Sequence, residues 1–377
     1  MHATSYWLEE PWPAFPVAAP LDEADVDVVV IGAGVTGCSC ALTLAQGGLR
    51  VRLHDAGPVA GGASGRNGGF ALRGGAMPYD EACTTLGRDR AQMLWKLSER
   101  ALESMAGLAG DAFRRTGSLR LAVDDEERDA ILREIEALAA DGFATAWTEE
   151  LPPPLDRLYR SAAINAGDGA LQPARWVRRL ATHASRAGAE IAEWSPLDPA
   201  EISRATVVVA VDGLTAALVP ELAPFVRPVR GQMLVTTPVE PRGYDRPHYA
   251  RHGFDYWQQL DDGRLVIGGR RDVSFETEYT ASHETTTPVQ ASIEELAAEL
   301  LGHPPVVTHR WSGIWGETTD RLPLAGRVPG RERLWVAGGY SGHGNALGFA
   351  CGDLVARAIL GERPPELALF DPARLFD

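Results

Sequence analysis

Residues 32–37, GAGVTG, form a GxGxxG motif between a β-branched run at 26–31 and a segment of helical composition at 38–46. In such a motif Gly32 permits a tight turn, Gly34 lets a pyrophosphate approach the backbone, and the last glycine lets the helix pack close to the strand. The N-terminus of the helix also attracts phosphate charge. The motif and its surroundings therefore favour a dinucleotide-binding site that follows a buried strand.

A second strand is predicted at 49–53, and Asp55 follows it about 20 residues after the motif, where an acid would accept hydrogen bonds from the adenosine ribose. The order strand, glycine motif, helix, strand and acid is more specific than the motif alone. The cofactor-binding residues predicted in this segment are Gly32, Gly34, Val35, Thr36, Gly37, Asp55 and Ala56.

A second glycine cluster, GGASGRNGG at 61–69, follows directly. A NAD enzyme of ordinary build has no use for this loop, whereas a flavin needs close backbone approach and amide donors along the edge of its ring. Arg66 and Asn67 also carry side chains that a flexible surface loop would not need. The cluster favours a flavin, and the predicted contacts are Ala63, Ser64, Arg66, Asn67, Gly68 and Gly69.

A third glycine cluster, GGYSGHGN at 338–345, lies between a buried strand predicted at 333–337 and an amphipathic helix predicted at 346–360. Such a unit could close the nucleotide site from the far side. A helix N-terminus aimed at the flavin would stabilise the anion that develops on reduction. The predicted contacts are Gly339, Gly342, His343, Gly344 and Asn345, together with Val211 at the end of a buried strand predicted at 205–211.

The composition excludes several function classes. The length of 377 residues corresponds to roughly two domains. The chain has 36 Lys and Arg against 51 Asp and Glu, and this net charge of -15 argues against a nucleic-acid binder. Lys96 is the only lysine, which disfavours a pyridoxal-phosphate Schiff base and a P-loop lysine.

The four cysteines, Cys38, Cys40, Cys83 and Cys351, have neither CxxC spacing nor a disulfide pattern, so we expect reduced thiols and no metal site. The first 16 residues lack the basic and apolar regions of a secretory signal. No apolar run approaches the roughly 20 residues that span a bilayer. The expectation is a cytoplasmic protein without membrane contact.

The order of these motifs is similar to that of the FAD-dependent amine and amino-acid oxidoreductases of the D-amino-acid-oxidase type, most of all to their gamma-glutamylputrescine-oxidase-like branch. The resemblance covers the chain from end to end. It is carried by SYWLEE (5–10), DVVVIGAGVTG (27–37), GGASGRNGGF (61–70), LQPARWVRRLATHASRAGAEI (171–191), RPVRGQMLVTTP (227–238), DGRLVIGGR (262–270), WSGIWGETTDRLPLAGR (311–327) and VAGGYSGHGNALG (336–348).

The resemblance implies an α/β fold, with a Rossmann-type FAD-binding domain and an interleaved α+β substrate domain that contains an antiparallel sheet. The FAD-binding domain would be discontinuous, built from residues 1–75, 160–217 and 305–377, and the substrate domain from 76–159 and 218–304. Hydrophobic periodicity agrees in outline. It predicts helices at 89–108, 126–140 and 176–187 and strands at 232–237, 255–259 and 264–268.

The resemblance also implies chemistry at a non-covalently bound FAD. A neutral amine would pass hydride from its α carbon to flavin N5, the imine would hydrolyse, and the reduced flavin would return electrons to oxygen, giving peroxide, or to another acceptor. Two alternatives stay open: a NAD(P)-dependent dehydrogenase, and an FAD-binding protein with weak or no amine oxidase activity. The residues also leave open which amine or amino acid is oxidised and how many copies of the chain assemble.

Two departures from the family pattern bear on this chemistry. Trp315 stands where amino-acid oxidases of this type often have a carboxylate-binding arginine, which favours an amine lacking an α-carboxylate. Residues 265–268 contain no lysine, where some sarcosine-type oxidases have one that activates oxygen. The positive charge that helps oxygen would have to come from Arg66, His343 or Arg270, or from the helix terminus itself. Arg66 and His343 are the candidate catalytic residues.

A third departure is the short connection at 191–206, where related chains have a small β-meander. We therefore expect an adenine side that is more open and holds FAD less tightly. Covalent attachment is disfavoured because residues 307–310, directly before Trp311, contain no cysteine, and His309 is the one residue there that keeps it open.

Aromatic walls suit an amine through cation–π contacts. The predicted substrate residues are Tyr256, Trp257 and Trp315, and further pocket candidates are Tyr249, Phe254 and Trp311. Arg270 and Arg271 are expected to be solvated or salt-bridged.

Overall fold

The computed structural model describes residues 4–16, 20–240 and 243–376. The α-helices of these residues are α1 (Val35–Gln46), α2 (Tyr79–Leu86), α3 (Arg88–Ala109), α4 (Asp125–Ala140), α5 (Leu155–Leu158), α6 (Pro173–Arg186), α7 (Thr215–Leu218), α8 (Thr287–Leu301) and α9 (Gly344–Ile359).

The strands are divided among three sheets. In chain order they are β1 (Val28–Ile31), β2 (Val51–His54), β3 (Phe70–Ala71), β4 (Phe113–Arg114), β5 (Ser118–Ala122), β6 (Ala146–Thr148), β7 (Ser161–Asn165), β8 (Gly169–Leu171), β9 (Glu190–Ala192), β10 (Thr206–Val209), β11 (Val226–Pro238), β12 (His248–Ala250), β13 (Asp255–Gln259), β14 (Arg264–Gly269), β15 (Val307–Thr318), β16 (Leu324–Arg327) and β17 (Leu334–Gly338).

A six-stranded sheet positions the first and third glycine clusters. Its order is β16-β17-β10-β1-β2-β9, and all neighbours are parallel except β16 and β17. The central strand β1 is VVVI and every residue of it is buried, as in parallel sheets covered on both faces. Because parallel strands end at the same edge, the loops that follow β1, β2, β10 and β17 lie together.

Helices α1 and α9 pack directly against each other beside this sheet. Gly352 permits the close approach, since a Cβ there would lie only 2.3 Å from the Thr36 carbonyl oxygen. Ser39 Oγ also donates a hydrogen bond to the Phe349 carbonyl oxygen at 2.7 Å. The N-termini of both helices are thereby held at the same edge of the sheet.

An eight-stranded sheet has the order β15-β11-β14-β13-β12-β5-β7-β6 and is antiparallel except between β12 and β5. Side chains alternate between its faces. One face packs against α8 through a buried cluster that includes Leu234, Trp257 and Ile267. The other face carries Met233 and Tyr256, which line the cavity described below. A third sheet, β3-β8-β4, follows the second glycine cluster.

The fold class predicted from the sequence is confirmed: the chain is α/β, with a Rossmann-type parallel sheet and a second, mostly antiparallel sheet. We propose the sheets as the basis for a division into domains. The segments predicted for the FAD-binding domain, 160–217 and 305–377, include β7 and β15, and both of these strands belong to the eight-stranded sheet. A division by sheet thus differs from the predicted one at these two strands.

Within the ranges described above, no helix is both long and apolar enough to cross a membrane. Across those same ranges, no group of three His, Cys, Asp or Glu side chains could hold a metal ion.

His248 is a buried titratable group of the eight-stranded sheet. Its ring stacks on Trp257 at 5.4 Å between centroids, and its Nδ1 lies 2.7 Å from the Arg246 carbonyl oxygen. Burial lowers the pKa of His248 to about 4, against about 6.5 for an exposed histidine. Between these values the unfolded chain binds a proton that the folded chain does not, so this group makes the free energy of unfolding decrease as the pH falls.

We expect the change of His248 to Gln to make the free energy of unfolding less dependent on pH. For the wild type, lowering the pH from 7 to 5 should cost about 2 kcal/mol through this one group. Urea unfolding at the two pH values measures the difference, and the exposed His303, changed to Gln, is the control. The same pH dependence in H248Q as in the wild type would contradict the assignment.

Candidate functional site

A cavity of about 980 Å³ lies between the carboxyl edge of the six-stranded sheet and one face of the eight-stranded sheet. All three glycine clusters contribute to its wall. The predicted cofactor and substrate residues that line it are Gly32, Gly34, Val35, Thr36, Asp55, Ala56, Ala63, Ser64, Arg66, Asn67, Gly68, Val211, Gly342, His343, Gly344, Asn345, Tyr256 and Trp315.

Gly37, Gly69 and Gly339 do not line the cavity. A Cβ on Gly37 would lie 1.8 Å from the Gly32 carbonyl oxygen, so this glycine permits α1 to pack against the turn, as its place in the motif predicts. Gly69 and Gly339 lie next to lining residues, and each has a positive φ. These two glycines therefore permit turns of the backbone that place the neighbouring residues in the cavity wall.

The prediction that Trp257 contacts the substrate is wrong. Trp257 follows Tyr256 on β13, so its side chain points to the opposite face of the sheet. There it is fully buried between the rings of His248 and Tyr159. Trp311, a further pocket candidate, is also absent from the cavity wall.

The turn after β1 is closed by side chains from two other segments. Ala33 N donates to Asp55 Oδ2 at 2.7 Å, and Gly57 N donates to Asp55 Oδ1 at 2.8 Å. Val35 N donates to Ser64 Oγ at 3.0 Å. Burial raises the pKa of Asp55, whereas the backbone N–H groups of Ala33 and Gly57 lower it. Each carboxylate oxygen keeps acceptor capacity for a ribose hydroxyl, so the residues fit the adenosine half of FAD.

The second glycine cluster is held by donors from distant parts of the chain. Its carbonyl oxygens accept hydrogen bonds from four side chains: Ser5 Oγ to Gly65 (2.7 Å), Trp311 Nε1 to Arg66 (2.9 Å), Trp7 Nε1 to Asn67 (2.8 Å) and Gln258 Nε2 to Gly68 (2.6 Å). Sequence reasoning missed these four residues as supports of the site. The sequence motifs SYWLEE and WSGIWG included Ser5, Trp7 and Trp311, but they gave no indication that these side chains bind the loop.

Asn67 and Asn345 join the second and third glycine clusters. Asn67 Nδ2 donates to the Ala63 and Ser64 carbonyl oxygens at 3.1 and 3.0 Å, and its Oδ1 accepts from Gly69 N at 2.8 Å. Asn345 Nδ2 lies 3.2 Å from Asn67 Oδ1. Both amides therefore fix the shape of the predicted flavin loop, and this is a role that backbone-directed amides often have.

Asp212 was not predicted, although it lines the cavity directly after Val211. Its φ is +46°, and its Oδ1 accepts a hydrogen bond from Gly339 N at 2.8 Å. Burial raises the pKa of Asp212 to about 6 in spite of the backbone N–H groups of Gly316, Gly339 and Tyr340. The side chain thereby connects the end of β10 with β15 and with the third glycine cluster.

The two candidate catalytic residues both lie in the cavity wall. Arg66 donates from Nε to the Gly61 carbonyl oxygen at 2.7 Å and from Nη1 to that of Ser312 at 3.3 Å. His343 is the N-cap residue of α9, and its buried Nδ1 has no hydrogen-bond partner among the described residues. Burial lowers the pKa of His343 in spite of a hydrogen bond with the Ser341 backbone, which raises it, and the neutral imidazole is thereby favoured.

The part of the cavity wall formed by the eight-stranded sheet contains Tyr249, which was a pocket candidate, and the ion pair of Arg120 and Glu134, which sequence reasoning did not find. Arg120 on β5 and Tyr249 on β12 lie side by side in the sheet, and Arg120 forms an ion pair with Glu134. Trp315 occupies space left by Gly231, where a Cβ would lie 2.5 Å from the indole ring. These residues form the side of the cavity away from the glycine motif.

Arg270 and Arg271 have different roles. The prediction of a salt bridge is confirmed for Arg270, whose Nε lies 2.8 Å from Asp255 Oδ1. Arg271 lines the cavity beside Trp315, and its Nη2 forms a longer ion pair, 3.9 Å from Glu317 Oε1.

The connection between β9 and β10 forms the other end of the cavity. Ser195, Pro196 and Leu197 line the cavity there, and His54 Nδ1 lies 3.1 Å from Ser195 Oγ. The described residues 193–205 contain no strand, in agreement with the short connection. How tightly this end holds a cofactor stays a prediction.

Trp7 and Trp176 provide a matched test of the loop supports, because both are fully buried. Trp7 Nε1 donates to the Asn67 carbonyl oxygen, whereas Trp176 Nε1 has no hydrogen-bond partner in the described structure. The change of Trp7 to Phe should weaken FAD binding and lower stability by about 1–3 kcal/mol more than the same change at Trp176, since it leaves a carbonyl unsatisfied. FAD titration and urea unfolding measure both effects. Equal losses in W7F and W176F would contradict this role.

Comparisons with known proteins agree with this geometry. The family model described as "FAD dependent oxidoreductase" (DAO) matches residues 27–358. The chain is 30% identical to a probable oxidoreductase OrdL of Rhizobium meliloti (strain 1021), over 93% of this chain and 86% of that protein. It is 26% identical to the gamma-glutamylputrescine oxidoreductase of Escherichia coli (strain K12), over 96% of this chain and 90% of that protein.

Among solved structures, glycine oxidase from Geobacillus kaustophilus aligns with a TM-score of 0.75 and 24% identity, over 93% of this chain and 97% of that one. L-proline dehydrogenase from P.horikoshii aligns with a TM-score of 0.75 and 21% identity, over 93% and 98%. The family and the FAD cofactor predicted from the motifs are confirmed. The chain belongs to the DAO family of FAD-dependent oxidoreductases, which act on the C–N bonds of amines and amino acids.

Proposed function

We propose that this chain is an amine oxidase that uses non-covalently bound FAD and oxygen to convert the C–N single bond of an amine to an imine. The observation that carries the proposal is that the three glycine clusters line one side of the 980 Å³ cavity and Tyr256 and Trp315 line the other. The relatives named glycine oxidase and gamma-glutamylputrescine oxidoreductase support the same reaction class.

The residues that would hold FAD divide along the cavity. The GxGxxG turn and Asp55 would take the adenosine and pyrophosphate portion, and residues 63–68 and 342–345 would take the flavin. When bound, FAD supplies the acceptor for a hydride. The N-terminus of α9, capped by His343, adds partial positive charge to the flavin portion of the wall.

The protein side of the reaction is positioning and proton transfer. Aromatic rings at Tyr256 and Trp315 suit a cationic amine on entry. The amine must then lose its proton, because an ammonium nitrogen has no lone pair to support hydride loss. We propose that His343 accepts this proton, since its neutral imidazole has a buried Nδ1 without a partner in the described chain. Arg66 would contribute positive charge near the flavin loop for reaction with oxygen.

Of the two alternatives, a NAD(P)-dependent dehydrogenase disagrees with the family, whose cofactor is FAD. An FAD-binding protein with little activity is the remaining rival. Two features favour this rival: the short 193–205 connection, and a cavity wall without a lysine that could activate oxygen. Lys96, the only lysine of the sequence, lies on α3 and contacts Gln92. Turnover separates the two.

The decisive experiment mixes the FAD-loaded protein anaerobically with primary, secondary and polyamine-derived amines. We expect at least one amine to bleach the flavin absorption, and admission of oxygen to restore it with formation of peroxide. If no amine bleaches the flavin, the rival stands. If bleaching occurs but oxygen restores the flavin only slowly, the protein is a dehydrogenase that uses another acceptor.

The change of His343 to Gln should slow amine-dependent flavin reduction at pH 7 by about 10²- to 10⁴-fold, the usual effect of losing a general base. In the wild type the rate should fall only when the pH drops through the lowered pKa of His343, because protonation removes the acceptor. Stopped-flow absorbance from pH 5 to 9 measures both. H303Q, at an exposed histidine, is the control, and an unchanged rate in H343Q would assign the proton transfer elsewhere.

We also propose a cytoplasmic location. The four cysteines are all free thiols, and three of them are buried, as expected in a reducing compartment.

A further inference from the structure

Arg271 brings a cationic side chain to the substrate part of the cavity. Its guanidinium carbon lies 4.8 Å from the ring centroids of both Phe254 and Phe275 and 5.7 Å from that of Trp315. The side chain is only 18% exposed. Arg271 is therefore held at the cavity wall in an aromatic cage formed by these three rings.

The acids around this cage are engaged by other arginines. Glu317 Oε1 is 3.9 Å from Arg271 Nη2, beyond hydrogen-bond distance, while Glu317 Oε2 accepts from Arg227 Nε and Nη2 at 3.0 and 2.7 Å. Asp255 pairs with Arg270 and with Arg251 at 2.8 and 3.1 Å.

The neighbour of Arg271 in sequence, Asp272, likewise accepts from Arg251 through Oδ2, while its Oδ1 is buried without a hydrogen-bond partner among the described residues. Arg271 Nη1 is buried and has no hydrogen-bond partner within the described residues. Arg271 is thus left without a hydrogen-bonded acid.

Each of the other arginines of the cavity wall has either an acid or backbone carbonyl oxygens as partners. Arg73 pairs with Glu99 at 3.1 Å, and Arg120 and Arg321 form ion pairs with Glu134 and Glu81. Arg66 donates to the carbonyl oxygens described above. A partly buried guanidinium without a hydrogen-bonded acid is costly, and a carboxylate that binds it with two parallel hydrogen bonds removes that cost.

We propose that Arg271 is an anion subsite, and that the amine oxidised by this protein carries a carboxylate that Arg271 binds. The proposal rests on the proposed function for the identity of the ligand as a substrate. It refines the expectation drawn from Trp315. Position 315 offers no guanidinium for a carboxylate, but Arg271 supplies one from the end of β14 at the same wall of the cavity.

Binding of simple carboxylates tests the subsite without turnover. FAD-loaded protein is titrated with acetate, butanoate and hexanoate, and each is compared with its primary amide, which has the same shape and no charge. The readouts are the perturbation of the flavin spectrum and the shift of the thermal unfolding midpoint. We expect the wild type to bind at least one carboxylate more tightly than its amide.

In Arg271→Leu the Kd of that carboxylate should rise about 10- to 100-fold, and the Kd of the amide should stay unchanged. Arg271→Lys keeps the charge but not the planar fork, so an intermediate loss is expected. Arg331→Leu is the matched control, because Arg331 pairs with Glu221 away from the cavity and its loss should leave the Kd unchanged. If R271L does not fold, the loss in R271K decides the question.

Two results would overturn the proposal: no preference for carboxylates over amides in the wild type, or the same preference in the Arg271 variants. The outcomes also separate this subsite from the proposed function. If carboxylates bind through Arg271 but no amine bleaches the flavin, the oxidase function fails and the subsite stands. If amines bleach the flavin and R271L reduces equally fast with carboxylated and uncharged amines, the function stands and the subsite fails.

Discussion

The site depends on one constraint, which is that the second glycine cluster is irregular backbone placed in the interior. Most carbonyl groups of such a segment lack the partners that a helix or sheet supplies, and buried carbonyls without partners are costly. The chain satisfies them with side chains from residues far apart in sequence: Ser5 and Trp7, then Gln258 and Trp311. Because Gln258 and Trp311 belong to the eight-stranded sheet and Ser5 and Trp7 to the N-terminal segment, the loop also holds these two parts of the chain together.

The two sheets shape the cavity through their different hydrogen-bonding geometry. The parallel sheet gathers four loops at one edge, which brings the three glycine clusters to one place. The eight-stranded sheet presents one face, and glycines in β11 and β15 make room on it. Gly231 leaves space for the Trp315 ring, and Gly313 lies against Arg66. Polar recognition is thus concentrated at the loop edge, and aromatic recognition on the sheet face.

Much of this could be read from the sequence where the signal is local. The GxGxxG turn, Asp55 and the three clusters are contiguous patterns whose backbone requirements are visible in the residues themselves. The fold class followed from the same patterns together with the resemblance. Tyr256 and Trp257 show where local reading is insufficient, since both were predicted to face the substrate although neighbours in a strand point to opposite sides.

The missed residues share a different cause. Asp212 is identified only when its carboxylate is seen to accept from residues beyond 300, and Arg271 only when the acids around it are seen to be paired with other arginines. Ser5 and Trp7 act on a loop some 60 residues away. Each of these roles depends on a contact with a residue far away in the sequence, so the pattern of residues within one segment does not predict it. Helix α8, which covers one face of the eight-stranded sheet and contacts it through Gln290 and Glu294, was likewise not predicted.

The hydrogen bonds of the second glycine cluster have a consequence for the order of assembly. The nucleotide turn is made early in synthesis, yet its loop needs Trp311, and its far wall needs the segment that leads into α9. Domains generally begin to fold from the N-terminus while the chain is still being made. The complete wall of the cofactor site can therefore form only after β15 and the segment that leads into α9 have been synthesised.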